Sequence, residues 1–238
     1  MKKFNKKRIV FILVWTFLPI GIFMLQTANN NLNQKTVATM SVPVTNRTII
    51  VDAGHGGEDG GAVSSNGVSE AQINLSIALK LQNLLEQSGA TVVLTRSDDN
   101  AIYDLDKTTL REKKNSDLKN RVKIGNTSSA DIFVSIHINK IEQSQYYGWQ
   151  TFFKDGNEQG KKLATCIQEN LNEAIQKENK RTPLKISNIY IIKNVEIPTT
   201  IVECGFLSNP EEEKQLQTDE YQNKLVWGIY NGIMDYFL

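Results

Sequence analysis

The sequence predicts an α/β protein, a three-layer α/β/α domain built on a largely parallel sheet with six strands. From residue 48 onward, short runs rich in β-branched residues alternate with longer amphipathic stretches. That alternation is typical of parallel sheets covered by helices on both faces. The apolar runs are about five to seven residues long, as expected of buried strands. Because no internal repeat interrupts the pattern, we expect a single domain over residues 47–238.

Each element is predicted from its own pattern. The strands are expected at Thr48–Asp52, Thr91–Thr95, Asp131–His137, Trp149–Phe153, Asn188–Ile192 and Thr199–Glu203. Apolar residues three and four positions apart predict helices at Ser69–Gln87, Ser116–Ser128, Gly160–Asn179 and Tyr221–Leu238. The charged, polar segment Asn100–Asn115 is expected to be a solvated loop.

The N-terminus has the layout of an export signal. Five basic residues within positions 2–8 precede Ile9–Leu25, a run without a single charge. The run is slightly short for a membrane span of ~20 residues, and no clear cleavage site follows it. Residues 1–26 are therefore either a signal peptide or an N-terminal membrane anchor, and residues 27–46, rich in Asn, Thr and Gln, are a polar linker. Either alternative predicts an exported protein.

Charge and cysteine content exclude some functions. Without those five of its 27 Lys and Arg residues, the chain has 22 basic against 26 acidic residues, a net charge near −4. A nucleic-acid partner is not expected from that balance. Cys166 and Cys204 are the two cysteines. One disulfide could form in an oxidising compartment, but two buried, unpaired thiols are the simpler interpretation.

The chain has two histidines, and both end predicted strands. His55 follows the first strand and His137 closes the third. Since ligands of open α/β sheets gather outside the carboxyl ends of the strands, the two imidazoles can converge on one point. The alternative is that each is a hydrogen-bonded core residue, and that explanation must then hold twice at equivalent positions.

The glycine-rich segment 54–62 surrounds His55. It lacks the Gly-Lys-Ser/Thr ending of a phosphate loop, and Asp59 occupies the third glycine position of a Gly-x-Gly-x-x-Gly match. We interpret it as a sharp turn whose glycines let the backbone and a bulky substrate approach His55.

Two carboxylates complete the set. Glu70 lies at the start of a predicted helix, where the helix dipole alone would favour an acid. Glu203 ends a predicted buried strand, where a charge is costly unless it is paired, bound to metal or used. Two histidines and one carboxylate form a catalytic zinc set with an open position for water, and a second carboxylate would serve as general base. The compact His-Glu-x-x-His signal is absent, so spacing alone leaves the assignment open.

These residues resemble the zinc-dependent N-acetylmuramoyl-L-alanine amidases of the amidase-3 family. The resemblance runs from about Thr48 to Leu238 and rests on four blocks in the family's order. The blocks are IVDAGHGG at 50–57, GVSE at 67–70 leading into Asn74-Leu75, the segment from Leu118 to Asn139 with ADIFVSIHIN at its end, and VECGFLSN at 202–209.

The resemblance implies a site, a cofactor and a reaction. It implies one Zn²⁺ held by His55, Glu70 and His137, with Glu203 as the catalytic residue that activates water. Asn139 is a candidate substrate contact, and Arg121 is expected to be structural. The implied reaction releases the stem peptide of peptidoglycan from the lactyl group of N-acetylmuramic acid. Where family members often have Thr after the catalytic glutamate, this chain has Cys204.

The short architecture is similar to the germination-specific amidases of endospore formers, and it implies sporulation and the formation of muramic-δ-lactam in the cortex. A membrane through the N-terminal segment and an activating protein are the expected partners besides peptidoglycan, and the outer face of a membrane, the cell wall or the spore envelope is the expected location. Two alternatives stay open, another zinc-dependent wall peptidase and a non-catalytic wall-binding scaffold.

Overall fold

The structure is a computed structural model that describes residues 17–22, 24–26 and 42–238. Residues 1–41 and 42–238 are separate units. In the first unit, residues 17–22 and 24–26 are helical. Among the described residues, none of the helices combines the length and the apolar character needed to cross a membrane. Most of the predicted signal or anchor, and residues 27–41 of the predicted linker, lie outside the described residues.

The second unit contains the predicted six-stranded sheet. Its strands are β1 Thr48–Ala53, β2 Thr91–Leu94, β3 Ile132–Asn139, β4 Gln150–Lys154, β5 Leu184–Ile186 and β6 Thr199–Phe206. They are ordered β2-β1-β3-β6-β4-β5, and only the β4–β6 pairing is antiparallel. The fold class predicted from the sequence is therefore confirmed.

Six helices of this unit surround the sheet. They are α1 Glu70–Gln87, α2 Leu110–Thr127, α3 Glu158–Ile175, α4 Tyr190–Asn194, α5 Pro210–Leu216 and α6 Asp219–Tyr236. Alternate residues of each central strand point to opposite faces. Ile49 and Val51 of β1 pack in the larger core with α1, α3 and α6, whereas Ile50 packs with α2 and α4. The two cores lie on opposite faces of the sheet, so the sheet and the helices on its two faces form three layers.

One predicted strand is wrong. Asn188–Ile192 is not a strand, because Tyr190–Asn194 forms the short helix α4, and the sixth strand is Leu184–Ile186 instead. A short apolar run can be a buried strand or a buried helical turn, and periodicity alone does not separate them. Ile191 and Ile192 are both buried. The apolar run therefore predicts the burial correctly but not the type of secondary structure.

One helix begins well before its predicted first residue, and another helix is not predicted from the sequence. α2 begins at Leu110 instead of Ser116, so the loop predicted over Asn100–Asn115 ends at Thr109. Thr109 caps it in a capping box with Glu112, a local signal present in the sequence. The unpredicted helix α5 begins with Pro210 after an Asn209 cap, a typical helix start.

The packed domain begins before residue 47. Val44, in the segment predicted as linker, has no exposed surface and belongs to the larger core. Both cysteines are free, as expected; Cys204 is buried, while Cys166 is only partly buried.

Candidate active site

Three predicted ligands meet at the carboxyl ends of β1 and β3. His55 follows β1, Glu70 is the first residue of α1, and His137 lies in β3. One donor atom of each lies within 4.8 Å of the other two. Glu70 Oε1 is 3.0 Å from His137 Nδ1 and 3.4 Å from His55 Nε2. The structure thus brings together residues that are separated by up to 82 positions in the chain.

Glycines permit this convergence. A Cβ on Gly54 would lie 2.3 Å from His137 Cε1, and one on Gly61 would lie 2.6 Å from Glu70 Oε2 and 2.7 Å from His55 Cδ2. The sequence predicts that the glycines of this segment let the backbone and a bulky substrate approach His55. The structure corrects this at Gly54 and Gly61, where the close neighbours are the candidate ligands themselves.

The Glu70 carboxylate is held on several sides. It is buried and accepts hydrogen bonds from the Ala62 N–H at 2.8 Å, the Ile138 N–H at 3.1 Å and the Asn74 side chain at 3.2 Å. Burial opposes ionisation of Glu70, but the hydrogen bonds to His137 and His55 outweigh it and hold its pKa well below the usual range. Glu70 is therefore a fixed anion, as a metal ligand must be.

Asp59 orients His55, a role that the sequence analysis missed. Its Oδ2 lies 3.1 Å from His55 Nδ1, so the ring donates an N–H there and turns Nε2 towards Glu70. Burial alone would lower the pKa of His55, but the hydrogen bonds to Asp59 and Glu70 raise it to about 9. An acid four residues after a candidate ligand, in a turn, was the available sequence signal.

Glu203 lies beside the ligand His137 in the sheet. It is the Cα partner of His137 in the β3–β6 register, so the two side chains extend to the same face. Its Oε2 is buried and has no hydrogen-bond partner among the described residues. Burial raises the pKa of Glu203 to about 7. A carboxylate with a free oxygen and a pKa near neutrality has the properties of a general base.

The other singled-out residues are peripheral to this cluster. Asn139 ends β3, and its carbonyl accepts the Leu207 N–H at 2.8 Å; a substrate contact through its side chain stays a prediction. Arg121 is buried and donates to Asp52 at 2.5 Å and to the His55 carbonyl at 2.6 Å. These contacts agree with the structural role expected for Arg121.

The donor set fits a divalent cation. Two imidazole nitrogens and one carboxylate oxygen are the ligands of catalytic zinc. At ligand distances of ~2.1 Å, a tetrahedral ion separates its donors by about 3.4 Å, close to the 3.0 and 3.4 Å found here. Within the part of the chain that the structure describes, Glu203 Oε2 has no hydrogen-bond partner, as expected if it faces water and substrate.

The fold and site define a class: an α/β domain with a candidate mononuclear metal centre and an adjacent carboxylate base. The model of the N-acetylmuramoyl-L-alanine amidase family, Amidase_3, matches residues 49–235. The chain belongs to this family, and the resemblance drawn from its motifs is confirmed.

Individual relatives agree with this assignment. The germination-specific N-acetylmuramoyl-L-alanine amidase of Bacillus subtilis (strain 168) is 34% identical over 216 residues, which cover 91% of this chain and 89% of that protein. Among solved structures, the CwlD amidase from Clostridioides difficile in complex with the GerS lipoprotein has a TM-score of 0.78 and 48% identity, covering 80% of this chain and 98% of that one. The catalytic domain of CwlV, an amidase from Bacillus (Paenibacillus) polymyxa var. colistinus, has a TM-score of 0.67 and 33% identity, with coverages of 80% and 97%.

Proposed function

We propose that this protein is a zinc-dependent N-acetylmuramoyl-L-alanine amidase that cleaves the amide between the lactyl group of N-acetylmuramic acid and the L-alanine of the stem peptide. One observation carries the proposal. Three donors of a zinc set lie within 4.8 Å of one another, and on the neighbouring strand Glu203 Oε2 is buried without a hydrogen-bond partner among the described residues. Family membership over residues 49–235 supplies the substrate class.

The chain's own residues have separate tasks in this reaction. His55, Glu70 and His137 would hold the zinc, and Asp59 would fix the His55 ring through its other nitrogen. When bound, zinc acidifies a water molecule and polarises a carbonyl group. Glu203 accepts the proton of the attacking water and then donates it to the departing amine of L-alanine. A pKa near 7 suits both transfers.

The experiment is digestion of purified peptidoglycan, followed by mass spectrometry of the soluble products. Wild-type protein should release intact stem peptides, and Glu203→Gln should release fewer by at least about 100-fold, since general-base catalysis contributes about 10²–10⁴-fold. Glu196→Gln, at an exposed position, is the matched control and should be fully active. Release of single terminal amino acids would indicate the alternative zinc peptidase. Unchanged wall function of Glu203→Gln and of metal-free protein would indicate a non-catalytic scaffold.

We further propose that the substrate is the spore cortex and that the enzyme acts there towards muramic-δ-lactam. The similarity to the germination-specific amidase of Bacillus subtilis supports this setting. Deletion of the gene should remove muramic-δ-lactam from the spores of the host, measured by chromatography of digested cortex. Normal lactam content in the deletion strain would contradict this setting and leave the amidase activity untouched.

Export and a protein partner complete the proposal. The basic cluster and the apolar run Ile9–Leu25 would direct the chain to the outer face of a membrane, secreted or anchored. The structurally similar CwlD amidase was solved with a lipoprotein, which supports an activating partner of that kind for this chain. Zinc content and activity of purified protein should then rise when native envelope extract is added. Full, equal activity without extract would contradict a partner.

A further inference from the structure

Arg96 is a buried cation that binds no acid. Arg96 is only 4% exposed, and within residues 42–238 the hydrogen bonds of its guanidinium all go to main-chain oxygens. Its nitrogens donate to four main-chain carbonyls. They are Ala53 O at 2.9 Å, Asp98 O at 2.8 Å, Gly54 O at 3.1 Å and Ala71 O at 2.7 Å. Because burying a charge is costly, a buried guanidinium that binds only main-chain carbonyls is expected to have a specific structural role.

The bonds of Arg96 join the segments that carry the candidate ligands. A single nitrogen, Nη2, donates to both Gly54 O and Ala71 O. Gly54 directly precedes His55, and Ala71 directly follows Glu70. Gly54 also lies beneath the His137 ring, which is why a Cβ there would clash. One guanidinium therefore links the backbones beside two ligands and beneath the third.

The segment that Arg96 holds is under conformational strain. His55 has a φ of +62°, a left-handed conformation that residues with a side chain keep only where the surrounding structure imposes it. The carbonyls of Ala53 and Gly54, immediately before His55, are both acceptors for Arg96. A Cβ on the next residue, Gly56, would lie 3.0 Å from the Arg96 side chain. Arg96 thus packs against the turn on both sides of His55.

We propose that Arg96 is a positioning residue of the metal centre, which fixes the His55 turn and the first turn of α1 relative to each other so that three donors share one point. The proposal rests on the proposed function of this site. It assigns a role to a residue outside the three candidate ligands. It predicts that removal of Arg96 weakens metal binding while the domain stays folded.

The domain is expected to survive this removal because the carbonyls have other partners. Ala53 O also accepts from Arg121 at 2.7 Å, and Gly54 O also accepts from Asn74 at 3.2 Å. Loss of Arg96 therefore leaves neither of these two groups unpaired. What is lost is the bridge from Gly54 to Ala71.

The test measures zinc affinity by competition with a chromophoric chelator for wild type, Arg96→Ala and Arg96→Lys. Second-sphere changes cost about 10–100-fold in metal affinity, and Arg96→Ala should lose at least about tenfold. Arg96→Lys should also lose zinc affinity, because a single ammonium group cannot reach all four carbonyls that the guanidinium binds. Guanidinium ion at millimolar concentration should restore affinity to Arg96→Ala, whereas sodium chloride at equal ionic strength should not.

A matched control separates positioning from general destabilisation. Gln168 is buried in α3 and, like Arg96, bonds the backbone, with its Oε1 accepting the Thr151 N–H at 2.9 Å. Gln168→Ala should lower the Tm and leave zinc affinity unchanged. Wild-type zinc affinity in folded Arg96→Ala, or in Arg96→Lys if the alanine variant does not fold, would overturn the inference. Absence of zinc binding by the wild type would instead overturn the proposed function itself.

Discussion

The Glu203 carboxylate, whose Oε2 is buried without a hydrogen-bond partner among the described residues, should make the metal-free protein less stable at neutral and alkaline pH. Its pKa is raised from 4.5 to about 7 by burial, so the folded state holds this proton more tightly than the unfolded state. The stability associated with the protonated form is fully present below about pH 4.5 and is lost as the pH rises to about 7. Glu203→Gln removes the charge and keeps the shape, and therefore removes this pH dependence.

The magnitude follows from the size of the shift. Each pKa unit corresponds to about 1.4 kcal/mol, so ionisation of Glu203 costs the folded state about 3 kcal/mol at pH 8. Between pH 5 and pH 8, the stability of Glu203→Gln relative to wild type should increase by roughly 2–3 kcal/mol. For a domain of this size that equals about 4–12 °C in Tm. The variant would be more stable and catalytically inactive, an exchange that is common at active sites.

Urea unfolding in the presence of a chelator, at pH 5 and pH 8, measures the effect. Other titrating groups are common to both proteins and cancel in the comparison. The exposed Glu196→Gln should show the same stability difference from wild type at both pH values. If Glu203→Gln also shows no change between pH 5 and pH 8, the carboxylate is not buried and unpaired, and the reasoning on its role as base fails.

Three further predictions concern the metal centre. Gly61→Ala should weaken zinc binding by more than tenfold, because the added Cβ would lie 2.6 Å from Oε2 of the candidate ligand Glu70. The control is Gly67→Ala, which is also at positive φ but has open space around it and should bind zinc normally in the same chelator titration. Asp59→Asn should cost about 10–100-fold in zinc affinity by misorienting His55, with Glu58→Gln as the neighbouring control, and wild-type affinity would contradict the orienting role. The pKa of His55 is about 9 in the metal-free protein, so below that pH zinc must displace a proton from His55. The zinc affinity measured by calorimetry should therefore fall about tenfold for each unit by which the pH is lowered. An affinity that stays constant between pH 6 and pH 8 would contradict this prediction.

The sequence predicted the elements whose signal is local and strong. The strands that carry His55, His137 and Glu203 are buried runs of β-branched residues, and their ends were placed to within about three residues. The rule that ligands gather at the carboxyl ends of parallel strands then brought the two histidines together. The resemblance to a family added Glu70, whose position at a helix start is ambiguous by itself.

What the sequence missed depends on contacts between distant segments. The sequence predicts a strand over Asn188–Ile192, where the structure has a helix, because burial does not distinguish a strand from a short helix. Asp59 and Arg96 were not recognised as supports of the site, because their partners are a ring and a set of carbonyls fixed only by the fold. Gly54 and Gly61 were recognised as special, but the groups that approach them could be known only from the structure.

X-ray absorption spectroscopy of the zinc-loaded protein can show whether His55, Glu70 and His137 bind the metal. We expect one zinc per chain, a first shell of nitrogen and oxygen at ~2.0–2.1 Å, and the outer-shell scattering of two imidazoles. His137→Ala should reduce that outer-shell signal to one ring. A sulfur shell at ~2.3 Å, or a signal without imidazole, would mean that His55, Glu70 and His137 do not form the metal centre.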